Sequence, residues 1–546
     1  MKMKDKELKA TPDQIGFENL DRSDQAHVER AVRNRFDRRD ALKLMMTTGI
    51  TMSGAYNLLL AGKQAVASTP KSGGALRAAV AVHGPADTLD PNLFTSQIDY
   101  SRGRAHYNAL CQLDESLAPQ PELAESWGAS ADAKEWTFQI RKGVRFHDGT
   151  PLSADDVVWS MNRHLGDDST SAIKDTLSFI NEWRKVGPYE VKAELNTPNA
   201  DLPILLGGLY ALKVIKNGTN GDGIGTGPFV LQDFSPGIRS LSTRNENYWR
   251  SPAHLDAIEI FAITDPLVRV NAVVSGDIHL AAEIEPKSIA QIEDAPNVSI
   301  ISIPTGAWNG ICALKNTDPG SSDDFVKAMQ HIQDRERIVN RILKGHGSAG
   351  NDHPISSAYG ADHCHELPIR EFDPDKAKFH LDKSGIDSAT LHVAPVGAGI
   401  EEVCLLMQVN LAKIGFDLNI KRVPNDGYWS AVWRVEPMNV TSWSMRPTAN
   451  AMLSQALAPG APWNDSYWDN PRMGELLKLS LAELDPDKRH AMYCEMQTLV
   501  HNESGMIIPM HLNILDAKRD SVYGLPSNPL GNLGASEYPE FVWLDE

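Results

Sequence analysis

An α/β fold spread over more than one domain is what this chain predicts, and three observations predict it. At 546 residues the chain exceeds what one hydrophobic core usually supports. Its 42% hydrophobic and 23% charged residues are those of an ordinary globular protein. From residue 75 onward, segments of strand period and helix period alternate, without an internal repeat or a low-complexity tract.

The elements follow in order. Residues 75–83 (ALRAAVAVH) read as a buried strand, and Thr88 to Asn92 as a turn. Residues 136–146 (WTFQIRKGVRF) alternate apolar and polar, the pattern of a half-buried strand pair. His147 to Thr150 turns the chain, and Ser153 caps a helix whose first turn holds Asp155 and Asp156, where the helix dipole favours acids. Gly223 to Pro228 is a glycine-rich break. Residues 324–345, 373–385, 401–415 and 484–504 are predicted helices, two of them closed by Gly385 and Gly415.

The N-terminal region carries an export pattern. Arg38-Arg39 precedes a weakly apolar, small-residue run from Leu44 to Gly62, and Ala65-Val66-Ala67 supplies an A-x-A cleavage site. The pattern resembles a twin-arginine export signal over residues 1–67, the alternative being an amphipathic N-terminal helix. No cysteine follows it, so no lipid anchor is expected. The run is too interrupted to span a membrane comfortably, and a soluble periplasmic protein is predicted.

Net charge is −18. Residues 1–67 are net basic, so the remainder is more acidic still. Such a surface repels phosphate backbones, and nucleic-acid binding is not expected. The five cysteines (Cys111, Cys312, Cys364, Cys404, Cys494) are scattered and odd in number. They predict buried free thiols with at most one chance bridge. No G-x-S-x-G, H-E-x-x-H or P-loop is present, so neither an enzyme nor a cofactor is predicted. His363-Cys364-His365 offers ligands for a soft or borderline metal ion, but it sits in a polar loop. Solvated surface is expected there rather than a metal site.

Several motifs together carry a resemblance. Leu123 to Trp127 (LAESW), Trp136 to Pro151 (WTFQIRKGVRFHDGTP) and Ser153 to Val158 come first. Gly225 to Phe229 (GTGPF), Asn245 to Trp249 (NENYW), residues 265–277, the segment around Asp334-Arg335, and residues 408–415 follow in order. The chain resembles the family 5 extracellular solute-binding proteins of ABC importers, which include peptide, nickel and opine carriers. The resemblance implies a periplasmic-binding-protein-like, two-lobed fold of the cluster C type. One lobe would comprise residues 68–105, 222–302 and 510–546, and the other 303–509. Residues 106–221 would form an extra inserted domain, with the ligand cleft between the lobes. It further implies a monomer that captures a small ligand and delivers it to a cognate ABC permease in the inner membrane. The motifs themselves, built of glycine, proline and aromatics, read as packing elements.

The resemblance also locates candidate ligand residues. Dipeptide carriers hold the peptide ammonium with the aspartate of a Trp-x-x-Asp element; here the matching segment is Trp443-Ser444-Met445-Arg446. Their carboxylate-binding Arg-Pro-Tyr element falls on Ala394-Pro395-Val396. Both ends of a dipeptide code are missing. Arginine in place of aspartate reverses the charge and offers a rigid fork of donors to an anionic group. Arg446 is therefore predicted to clamp a carboxylate or similar anion, the alternative being an ion pair with a neighbouring acid. Trp308, Trp443, Tyr428 and Trp429 are predicted aromatic walls, the alternative being core. Glu401 either holds a ligand amine or serves as an ordinary helix N-terminal acid. An oligopeptide or nickel cargo remains the rival expectation, and a secreted hydrolase a weaker one.

Overall fold

Parallel strands need crossover helices, and the alternation in the sequence delivers two such sets. A computed structural model describes residues 69–81 and 87–545, so the predicted export signal lies outside the described residues. One parallel set is Ala75–Val80 between Ala257–Ala262 and Leu280–Ala281, with helix Pro266–Ser275 as crossover. The other is Ser388–Val393 between Asp417–Arg422 and Met438–Trp443, with helix Ile400–Lys413 as crossover.

Two long antiparallel strands, Val298–Ala313 and Met506–Arg519, join these sets into one 11-stranded sheet. Their pairing breaks between Pro304 and Trp308, where three residues of one strand are matched by a single residue of the other. Proline has no N–H for the ladder, and a bulge bends the strand that carries it. A separate four-stranded sheet contains Glu135–Ile140, flanked by Ala124–Ala129 and Glu190–Leu195. Among the described residues no helix is long and apolar enough to cross a membrane.

Caps read from the sequence form as expected. Ser153 makes a capping box with Asp156, Asp373 accepts from the Lys376 N–H, and Gly385 is left-handed at φ 69°. Two expectations change. Residues 136–146 do not pair with each other: the strand stops at Ile140, and its partners lie at 124–129 and 190–195. The predicted helix 324–345 is interrupted after His331. There Asp334 caps a new turn and Arg335 swings inward to the buried carboxylate of Asp352.

The sequence motifs converge on one structural knot. The His147 N–H donates to Gly225 O at 2.8 Å, and the Gly227 N–H donates to His106 O at 2.9 Å. Thr226 Oγ1 and Trp249 Nε1 both donate to Asn108 Oδ1. A Cβ at Gly225 would overlap the His106 carbonyl oxygen, so glycine is required for backbone approach. Gly225→Ala is expected to lower stability by about 1–3 kcal/mol in urea unfolding. A loss below about 0.5 kcal/mol would show that the two segments can part.

One cysteine pair departs from the free-thiol expectation. Cys364 and Cys494 form a disulfide across 130 residues of sequence, with Cα atoms 4.8 Å apart. The loop after Ser357–Asp362 packs on helix Pro486–Glu503, a proximity that no spacing rule could supply. Cys111, Cys312 and Cys404 are buried and free as predicted.

Candidate functional site

Ligands of α/β sheets bind beyond the carboxyl ends of the strands, and strand Met438–Trp443 ends at such a place. Immediately past it, Trp443, Ser444 and Arg446 join Trp429, Trp433 and Trp463 around a cavity of about 370 Å³. The Trp443 and Trp463 rings meet edge to face at 6.0 Å, and Trp429 meets Trp433 likewise at 5.7 Å. Trp429 and Trp463 remain 45% and 52% exposed, so the cavity opens to solvent.

The Arg446 guanidinium lies over the Trp443 ring, 5.2 Å from its centroid. Its Nε donates to Gln455 Oε1 at 2.7 Å and one Nη to the Ser444 carbonyl at 3.2 Å. Among the described residues it has no carboxylate partner. Burial depresses its pKa, the mark of a cation partly withdrawn from water without an anion beside it. Its own backbone N–H is held by the hydroxyl of the buried Tyr359 at 3.2 Å.

Asp465 organises the tryptophans. Fully buried, it accepts the indole N–H of Trp433 at 2.6 Å, that of Trp443 at 2.7 Å and the Thr441 hydroxyl at 3.1 Å. Burial outweighs these donors and raises its carboxyl to about 7. Sequence reading missed Asp465 and Gln455, because neither stands at an informative spacing from Trp443 or Arg446.

The other candidates divide. Trp308 is wholly buried and stacks on Trp443 at 6.2 Å, so it backs the wall without facing the cavity. Tyr428 is a correction: its hydroxyl donates to Val440 O and accepts from Val440 N, and its ring fills core. Glu401 pairs with Arg422 at 3.7 Å in the first turn of its helix, the place of the alternative helix N-terminal acid. Ala394 is buried core, and Val396 packs against it.

A second cavity, about 660 Å³, shares no residue with the first. It lies against Leu512 to Leu515 of the long strand and is lined by Glu283, Lys287, Arg341 and Glu402 among others. Its charges are of both signs, and it lacks the aromatic walls of the smaller cavity.

The model of bacterial extracellular solute-binding proteins, family 5 middle region, matches residues 118–464. A dipeptide-binding protein of Escherichia coli strain K12 is 25% identical over 494 residues, covering 82% of this chain and 91% of that protein. Among solved structures, HbpA2 from Haemophilus parasuis superposes with a TM-score of 0.77 at 22% identity, over 87% of this chain and 100% of that one. The binding protein AgaA of A. tumefaciens R10, in complex with agropinic acid, gives 0.64 at 22% identity, over 87% of this chain and 99% of that one. These likenesses show an α/β periplasmic-binding-protein fold.

Proposed function

Because the chain belongs to family 5 of the bacterial extracellular solute-binding proteins, we propose that it captures a small anionic ligand outside the cytoplasmic membrane and passes it to an ABC permease. It is a binding protein and carries out no reaction. The observation that carries the choice of ligand is the Arg446 guanidinium, set among four tryptophans with no carboxylate partner among the described residues. A fork of donors in a half-buried, aromatic site is matched by a carboxylate, phosphate or sulfonate on a body that stacks on indole. The volume of about 370 Å³ suits a ligand of modest size. The acidic ligand bound by AgaA is of the same charge class.

In this reading residues 68–105, 222–302 and 510–546 form one lobe and 303–509 the other, with 106–221 inserted. The break between Pro304 and Trp308 in the joining strands is a place for the lobes to bend. The chain reaches the periplasm by the twin-arginine route signalled before residue 67.

A thermal-shift screen of opine-like acids, sugar acids, N-acyl amino acids and short peptides tests the ligand class, since a ligand that binds only the folded state raises its melting temperature. Acidic ligands with a planar or apolar body are expected to stabilise the wild type. Arg446→Ala is expected to weaken the best of them by about 10–100-fold in calorimetry. Unchanged affinity in that variant, or stabilisation by cations and neutral peptides alone, would refute the anionic-ligand reading.

A further inference from the structure

Away from both cavities, the Cys364–Cys494 disulfide lies within a cluster of metal-ligating groups. Glu366 Oε2 stands 3.4 Å from the sulfur of Cys364 and 3.4 Å from that of Cys494. His490 Nε2 stands 3.5 Å from the Cys494 sulfur and 3.4 Å from Glu366 Oε2. Metal bonds of about 2.3 Å to sulfur and 2.0–2.1 Å to nitrogen or oxygen, at tetrahedral angles, put donor atoms about 3.3–3.8 Å apart. Four of the six edges of that tetrahedron are therefore present, and the sulfur–sulfur edge is closed by a covalent bond.

The supporting contacts fit as well. His490 sits one helical turn before Cys494, so both face the same loop. The other His490 nitrogen, Nδ1, lies 2.7 Å from the Ala361 carbonyl oxygen. A proton on Nδ1 donated to that carbonyl leaves the Nε2 lone pair free beside the Cys494 sulfur and Glu366, the arrangement that orients metal-binding histidines. Cys364 is buried, while His490 and Cys494 are half-buried and Glu366 is exposed, so an ion has access from solvent. Two thiolates, an imidazole and a carboxylate suit a borderline divalent cation such as zinc.

We propose that Cys364, Glu366, His490 and Cys494 form a redox-gated site for a borderline divalent cation. In the disulfide form the site is withheld. A dithiol reductant breaks the S–S bond with two electrons and two protons, giving two thiols here and a disulfide on the reductant. The incoming cation then displaces both thiol protons and is held by two thiolates, His490 Nε2 and Glu366. A disulfide oxidant takes the two electrons back by thiol–disulfide exchange: the Cys364–Cys494 bond re-forms, the oxidant leaves as two thiols with two protons from water, and the cation is released.

The test uses cobalt(II) as probe on the full chain, oxidised or reduced with a phosphine and kept anaerobic. The reduced protein is expected to take up a single cobalt ion, with the intense visible absorption of four-coordinate cobalt and a near-ultraviolet thiolate band, and to give it up to zinc. The disulfide form is expected to show neither band. His490→Ala, which keeps both cysteines, is expected to weaken uptake by more than the roughly 10–100-fold cost of losing an outer partner. Its oxidised form should melt as the wild type does, which separates ligand loss from misfolding. Reduced protein that binds no cobalt, or binds it with a weak six-coordinate spectrum, would overturn the proposal. Affinity untouched by His490→Ala would do the same.

Discussion

Asp465→Ala is expected to destabilise the chain by several kcal/mol and to loosen the aromatic cavity at the same time. The substitution strips the acceptor from two indole N–H groups and one hydroxyl around a fully buried position. Each buried donor left unpaired costs about 1–3 kcal/mol. Trp433 and Trp443 then lose the anchor that fixes their rings, so ligand affinity falls even though Arg446 is untouched. Equilibrium urea unfolding and tryptophan emission would record the two effects together. A stable variant with unchanged emission would mean that the rings are held by packing alone.

The same residue gives a pH dependence with a definite sign. Burial raises the Asp465 carboxyl from 3.8 to about 7. Between those values the folded chain keeps a proton that the unfolded chain has lost. The contribution of this group to stability therefore falls as pH rises from about 4 to about 7. When protonated, the carboxyl can donate to the Thr441 hydroxyl, which accepts as well as donates. Asp465→Asn removes this slope, and comparison of its pH–stability profile with that of the wild type measures it.

The second large effect is expected at Asp352. This fully buried carboxylate accepts from Arg335 at 2.7 Å, from Arg370 at 2.9 Å and from the Ile508 N–H at 3.1 Å. Removing it leaves two largely buried guanidiniums facing each other without an anion. Breaking a buried pair in this way costs about 3–5 kcal/mol. Urea unfolding of Asp352→Ala should show a loss of that size, with a smaller one for Asp352→Asn, which keeps the shape and one acceptor. A loss under about 1 kcal/mol would mean that backbone carbonyls, such as the Gly350 oxygen on Arg335, suffice for the guanidiniums.

Much of the fold was legible because its signals are local. A cap such as Ser153 with Asp156, or a stop such as Gly385, acts within one turn of its own helix, so adjacent residues report it. The interruption after His331 was not legible. Apolar spacing runs straight through residues 324–345, and the break is caused by Arg335 reaching a carboxylate 17 residues away. The site was legible in part for the same reason. Arg446 and Trp443 stand in a matching motif, whereas Tyr428 rests on residue type and Glu401 on a looser positional match with no motif residue beside it. The structure engages both elsewhere, one with Val440 and the other with Arg422.

By itself, then, the amino-acid sequence determined the α/β class, most helix limits, the ordered motifs of the family and the reversal of charge at Arg446. All of these are written in short stretches whose physics is that of neighbouring residues. Only the tertiary structure decided what Arg446 meets, which tryptophans share a cavity, that Asp465 anchors two of them, and that Cys364 lies against Cys494. Those outcomes depend on side chains tens to more than a hundred residues apart, brought together by sheet pairing and helix packing that leave no mark at either position alone.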